Sequence, residues 1–146
     1  MYRIFLGVAA LSLISFSSIA APAEHCGLPT GEGVINAVSV KKSVVNISHG
    51  PMPAIGWGPM TMDFKTDRSV DLAAFAKGDK IHFMLEPARK KGEWRIAALC
   101  SLDVGEAAHE ACMKSMHEAA TKKAENSGRD CVMAQPDGHE GHEGHH

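Results

Sequence analysis

The chain has 146 residues, with 15 Lys and Arg against 17 Asp and Glu and a formal charge of -2, so its charge supports no nucleic-acid face. That length fits one domain with a tail and is too short for two ordinary domains. Nine His and eight Met stand beside a single Tyr; His and Met are metal ligands, so the composition points toward metal handling.

Residues 1–23 read as a secretory signal peptide. Arg3 precedes an apolar run over residues 4–16, and Ser18, Ala20, Ala21 and Ala23 offer small-residue cleavage positions. The apolar run, about 13 residues, falls short of the roughly 20 that a membrane span needs. The expectation is an exported, soluble protein, monomeric and without stable membrane insertion.

Strand candidates follow over residues 33–40 and 44–48, separated by the turn Lys41-Lys-Ser43, and the second strand delivers His49 at its end. Next comes His49-Gly-Pro-Met-Pro-Ala-Ile-Gly-Trp57-Gly-Pro-Met60-Thr-Met62. Its Gly and Pro residues prevent a helix, which leaves strand, broad loop, strand. If residues 60–65 form a strand, Met60 and Met62 project from one face, with Thr61 and Asp63 on the other. Alternating Met is also how a strand fills a core. The combination with an imidazole and a nearby indole favours ligands: thioethers select soft ions such as Cu(I), imidazole completes an uncharged three-coordinate set, and Trp57 supplies a cation–π face.

This order, His, eight residues, Trp, three residues, Met-x-Met, resembles the CusF-type periplasmic copper and silver chaperones. The resemblance covers residues 31–102 and includes Lys77-Gly-Asp-Lys80 before the fourth strand. It implies a small OB-like β-barrel in the periplasm that binds Cu(I) or Ag(I) through His49, Met60 and Met62, with Trp57 as cap. It further implies transfer of the ion to a heavy-metal efflux pump or its periplasmic adaptor. The family commonly has Pro directly after the Trp; here Gly58 intervenes and Pro59 precedes Met60.

Beyond residue 65, a polar run leads to a short connector over residues 71–77, ended by Gly78. Residues 80–86 alternate, with Ile81, Phe83 and Leu85 on one face and His82, Met84 and Glu86 on the other, which places His82 and Met84 toward solvent or the barrel end. A turn over residues 87–92 leads to a fifth strand over residues 93–102, with Trp94, Ile96, Ala98 and Cys100 on one side. Five short strands favour a closed barrel, because closure removes exposed edges. The fold class is mainly β, with a carboxyl-terminal extension over residues 103–133.

Within that extension, residues 106–123 read as an amphipathic helix whose His109, Cys112, Met113, Met116 and His117 share one face. The face could hold a second metal, or it could pack Cys and Met on the barrel. Residues 134–146 are expected to be a disordered His-rich tail in which His139, His142, His145 and His146 bind Cu(II), Ni(II) or Zn(II) with little geometric selection. Cys26, Cys100, Cys112 and Cys131 are disulfide candidates in an oxidising compartment, and four cysteines allow three connectivities. Pairing Cys112 with Cys131 would close a loop across the helix, and pairing Cys26 with Cys100 would tie the amino end to the last strand.

The sequence reading is a Cu(I)/Ag(I) metallochaperone. The absence of a Cys-x-x-Cys pair and the single obvious barrel His weigh against an enzyme. A storage or buffering protein that binds several ions through the extension is the alternative.

Overall fold

The computed structural model describes residues 25–128 and Cys131. The expected signal peptide, together with Met133, His139, His142, His145 and His146 of the extension and tail, lies outside the described residues. Strands β1 (Thr30–Ser39), β2 (Val44–His49), β3 (Met60–Thr66), β4 (Lys80–Pro87) and β5 (Trp94–Ser101) precede one helix, α1 (Glu106–Asn126). They close into a barrel in the order β1-β2-β3-β5-β4, the five-stranded arrangement of an OB-like fold. Every neighbouring pair is antiparallel except β3 with β5, which meet only at Lys65 with Arg95 and Thr66 with Ile96.

Strand β1 begins three residues earlier than its hydrophobic pattern suggests, and Gly31 and Gly33 explain why. A Cβ on Gly33 would lie 2.6 Å from the Ser48 carbonyl oxygen and 2.7 Å from Ile47 Cγ2, and one on Gly31 would lie 2.9 Å from Phe83 Cζ. These glycines let β1 pack tightly against β2 and the Phe83 ring. A bulge at Asn36 then shifts the β1–β2 register and bends the long strand around the barrel. The expected turn closes through a 3-10 turn over Val40–Lys42, with Ser43 left-handed at φ +52°.

The barrel interior contains Ile35, Val45, Ile47, Phe64, Ile81, Phe83, Leu85, Ile96 and Leu99. The inward set of β4 is the one its alternation predicts. The opposite face of β4 differs from expectation: Met84 is fully buried, in a second cluster with Leu28, Ala97, Cys100, Met116 and Ala120. The physical reason is α1, which packs on the outside of β4 and β5 and converts a solvent face into a second core. Strand β5 also departs from strict alternation. Met84 pairs with Ala98 while Leu85 pairs with Ile96, so Ala97 is extra in the ladder, and Ile96 and Leu99 point into the barrel while Ala97 and Cys100 face the helix.

Two disulfides, Cys26–Cys131 and Cys100–Cys112, correct both suggested pairings. Cys112 sits over β5, next to Cys100, because the helical stripe packs against the barrel. An ionic cluster adds to this: Glu86 accepts from Arg95 Nε at 2.6 Å and from Lys123 Nζ at 2.7 Å, and Arg95 also reaches Asp67 at 3.0 Å. Among the described residues, no helix is long and apolar enough to cross a membrane.

Candidate metal centre

Strand β2 alternates, with Val45, Ile47 and His49 buried. His49 thus occupies the last inward position of a strand whose earlier inward residues are aliphatic, and it is only 4% exposed. Its Nδ1 lies 2.7 Å from the Gly50 carbonyl oxygen. A carbonyl only accepts, so Nδ1 carries the hydrogen and donates it, and the lone pair is left on Nε2. That Nε2 is buried and has no hydrogen-bond partner. A ring nitrogen held in one tautomer by a bond to its other nitrogen is the usual arrangement of a metal-ligating histidine.

Around this imidazole stand three aromatic rings, with centroids at 5.9 Å for Trp57, 6.0 Å for Phe64 and 6.2 Å for Phe83. Trp57 is the most nearly parallel, at 31°. The intervening loop delivers it. Met52 and Trp57 exchange backbone hydrogen bonds of 2.8 and 3.1 Å across a 3-10 turn over Pro53–Ile55, and Gly56 takes the left-handed conformation the turn needs. Met52 is buried beneath this loop, and its sulfur lies 3.0 Å from where a Cβ on Gly31 would stand.

Strand β3 begins at Met60, which is the cross-strand partner of His49, and Met62 is the partner of Ile47. Directly paired residues share a face, so both Met project to the side that carries His49. Burial deepens along that side: Met60 is exposed, Met62 is partly buried against the core, and Phe64 is fully buried. The two thioethers therefore stand on the His49 side at the outer end of the barrel interior. On the opposite face, Asn36 donates to Asn46 and Ser48, Asn46 donates to Asp63, and Ser48 meets Thr61 at 2.7 Å. This polar ladder fixes the β1–β2–β3 register on which the His49–Met60 pairing depends.

The helical candidates are placed differently. Cys112 is in a disulfide and offers no thiolate, Met116 is buried in the second cluster, and Met113 packs at its edge. His109 Nδ1 donates to the Ser101 carbonyl at 3.3 Å, while His117 faces His25. Among the described residues, no three His, Cys, Asp or Glu side chains converge as a metal-holding group. Sequence reasoning missed the Gly50 carbonyl, the rings of Phe64 and Phe83, and Met52. Phe64 could have been found, since it continues the Met60, Met62 alternation, but the Gly50 carbonyl bond and the Met52–Trp57 bridge leave no compositional trace.

Residues 29–100 match the family model described as copper binding periplasmic protein CusF. Among solved structures, apo-CusF from Escherichia coli is 20% identical, with 60% of this chain and 98% of that chain covered and a TM-score of 0.45. The Ag(I) complex of CusF from the same organism is 20% identical, with 51% and 90% covered and a TM-score of 0.44. The carboxyl-terminal domain of SilB from Cupriavidus metallidurans is 20% identical, with 56% and 93% covered and a TM-score of 0.45. No curated protein matches the chain. The barrel of this chain, over residues 29–100, belongs to the CusF family of copper-binding periplasmic proteins.

Proposed function

We propose that the protein binds Cu(I) or Ag(I) in the periplasm through His49 Nε2 and the sulfurs of Met60 and Met62, with Trp57 against the ion, and passes it to a metal efflux system. The observation that carries this reading is the buried Nε2 of His49, left without a partner by the Gly50 bond, in register with Met60. The chemistry fits. One imidazole and two thioethers form a soft, neutral donor set, which suits a monovalent d10 cation and excludes hard ions. The Trp57 ring, already near the imidazole, offers its negative face to a cation and keeps water from that side. The match of residues 29–100 to the family of copper binding periplasmic protein CusF supports the same cargo class.

Burial suggests how release proceeds. His49 is enclosed, but Met60 is 41% exposed, so an acceptor's ligand enters from the Met60 side and Met60 leaves first. Neutral donors hold the ion without the charge attraction of a thiolate set, which keeps such exchange fast.

Anaerobic Cu(I) titration of the protein, followed by tryptophan emission, tests the site. Quenching that saturates at one strong equivalent and is abolished by both Met60→Ile and Met62→Ile supports it. Quenching that persists in both variants removes the metal from the barrel and favours storage by the extension. Transfer has a separate test: an efflux component must accelerate Cu(I) loss beyond dissociation into buffer.

A further inference from the structure

The loop that carries Trp57 to His49 turns on one buried side chain. Of residues 51–60 only Met52 is fully buried, at 2% exposed, and Gly56 and Gly58, on either side of Trp57, give the ring no local stiffness. Met52 also closes the loop. Its N–H donates to the Trp57 carbonyl at 2.8 Å, and its own carbonyl accepts from Ile55 at 3.2 Å and from Trp57 at 3.1 Å. Residues that exchange both backbone bonds share a face, so the Met52 side chain lies on the side of the indole. We propose that Met52 is a positioning residue that fixes the Trp57 ring at the barrel end and thereby slows loss of the bound ion. This rests on the Cu(I)/Ag(I) site proposed above at His49, Met60 and Met62.

The barrel keeps a seat for this side chain. Gly31 of β1 pairs with Phe83 of β4, and a Cβ on Gly31 would lie 2.9 Å from Phe83 Cζ, 3.0 Å from Met52 Sδ and 3.2 Å from Met52 Cε. The thioether therefore rests on bare backbone beside the edge of the Phe83 ring, a contact that sulfur favours. Phe83 in turn stands edge-on to His49, with centroids 6.2 Å apart and planes at 69°. Met52 thus ties the loop to the aromatic wall around the imidazole, where the Trp57 ring lies 5.9 Å from His49 and 6.3 Å from Phe64.

A ring held in place acts differently from a ring free to swing. Cation–π attraction is lost when the ring leaves the ion, and the opened side admits water or a fourth donor. Without the Met52 side chain, the ordering of this glycine-containing loop lacks the buried contact that offsets its entropy cost, and Trp57 swings away more often. The seat on Gly31 engages the Met52 sulfur and terminal methyl alike, so the barrel uses the shape of this side chain and not its lone pairs. Leucine should serve in its place.

The test follows Ag(I) dissociation from the full chain into an excess of chelator, together with the Ag(I)-induced change in tryptophan emission. A Trp94→Phe background leaves Trp57 as the one indole. Met52→Ala should speed dissociation about tenfold, as loss of a partly desolvated cation–π contact predicts, and should shrink the emission change. Met52→Leu should restore both, and Gly31→Ala, which fills the seat from the other side, should reproduce the Met52→Ala effect. Parent-like dissociation in Met52→Ala overturns the proposal. So does a Met52→Leu variant as fast as Met52→Ala, which would assign the sulfur a donor's role. The barrel site fails separately, and the proposal with it, if Ag(I) leaves the parent's Trp57 emission unchanged; a parent response that Met60→Ile abolishes keeps the site even where the Met52 variants fail. A readout free of folding effects uses the unsubstituted chain: nuclear Overhauser contacts between the Met52 Cε methyl and the Trp57 ring must persist with Ag(I) bound, and their absence overturns the proposal.

Discussion

Met60 stands directly opposite His49 across the β2–β3 ladder, yet the two differ sharply in burial, at 41% and 4% exposed. In the proposed site, the pairing joins a fixed, enclosed imidazole to an accessible thioether. Substitution at Met60 should therefore separate binding from stability. Met60→Ile should change unfolding free energy by less than about 0.5 kcal/mol, as exposed substitutions usually do, while weakening Ag(I) by more than the about 10–100-fold typical of outer partners. Met62 packs partly against the core, so Met62→Ile should add a stability loss of up to about 1.5 kcal/mol to a similar loss of affinity. Urea denaturation beside competitive Ag(I) titration checks both; equal stability losses in the two variants would contradict the burial gradient along β3.

Gly33 should prove as sensitive as a ligand although it carries no side chain. It pairs with His49 across β1–β2, and an added Cβ would meet the Ser48 carbonyl at 2.6 Å and the His49 Cα at 3.1 Å. Backbone atoms cannot rotate away, so the strands must separate. Gly33→Ala should cost about 1–3 kcal/mol, the usual range for overpacking, and should weaken Ag(I) by displacing His49. A variant of normal stability and normal affinity would show that β1 yields without moving β2.

Much of this architecture was legible in the sequence because it follows from period and spacing. The alternation of Ile81, Phe83 and Leu85 identified the inward face of β4, and the His, Trp, Met-x-Met order identified the elements that meet at the barrel end. What stayed hidden depends on tertiary partners. Met84 reads as an outward residue of β4 and becomes core only because α1 covers it. Ala97 is one residue too many for β5, and no local signal marks the bulge that reverses the facing of Cys100. The Cys100–Cys112 pairing follows from that reversal. His49 was recognised from its spacing to Trp57 and the two Met; its free Nε2 depends on a bond to a neighbouring carbonyl that any residue could supply.

The two disulfides should contribute unequally. Cys26–Cys131 spans 105 residues and Cys100–Cys112 spans 12. On the chain-entropy model, a loop near 100 residues is stabilised by about 4.7 kcal/mol and one near 15 by about 3 kcal/mol. Cys26→Ser with Cys131→Ser should therefore lower stability more than Cys100→Ser with Cys112→Ser, measured by urea unfolding of each double variant without reductant. The reverse order would mean that docking of α1 on β5 relies on its short crosslink more than loop entropy predicts.

Stability should also depend on pH through His82. Its side chain lies on the outer face of β4, with Nε2 buried and without a hydrogen-bond partner. Burial pushes its pKa below the ordinary histidine value and His109 on α1 adds to this, while Glu32 on β1, 3.8 Å from Nδ1, works in the opposite direction. The unfolded chain then takes up the proton first, so unfolding gains protons and stability falls as pH drops below about 6.5. The loss stops once pH passes below the depressed folded value. His82→Gln should flatten the slope of unfolding free energy between about pH 7 and 5, and Glu32→Gln should steepen it by removing the opposing carboxylate. Urea titrations of the metal-free protein across that window measure both slopes. A Glu32→Gln profile shallower than the parent's would mean that the carboxylate does not stabilise the protonated ring, and the buried nitrogen of His82 would then owe its low proton affinity to another source.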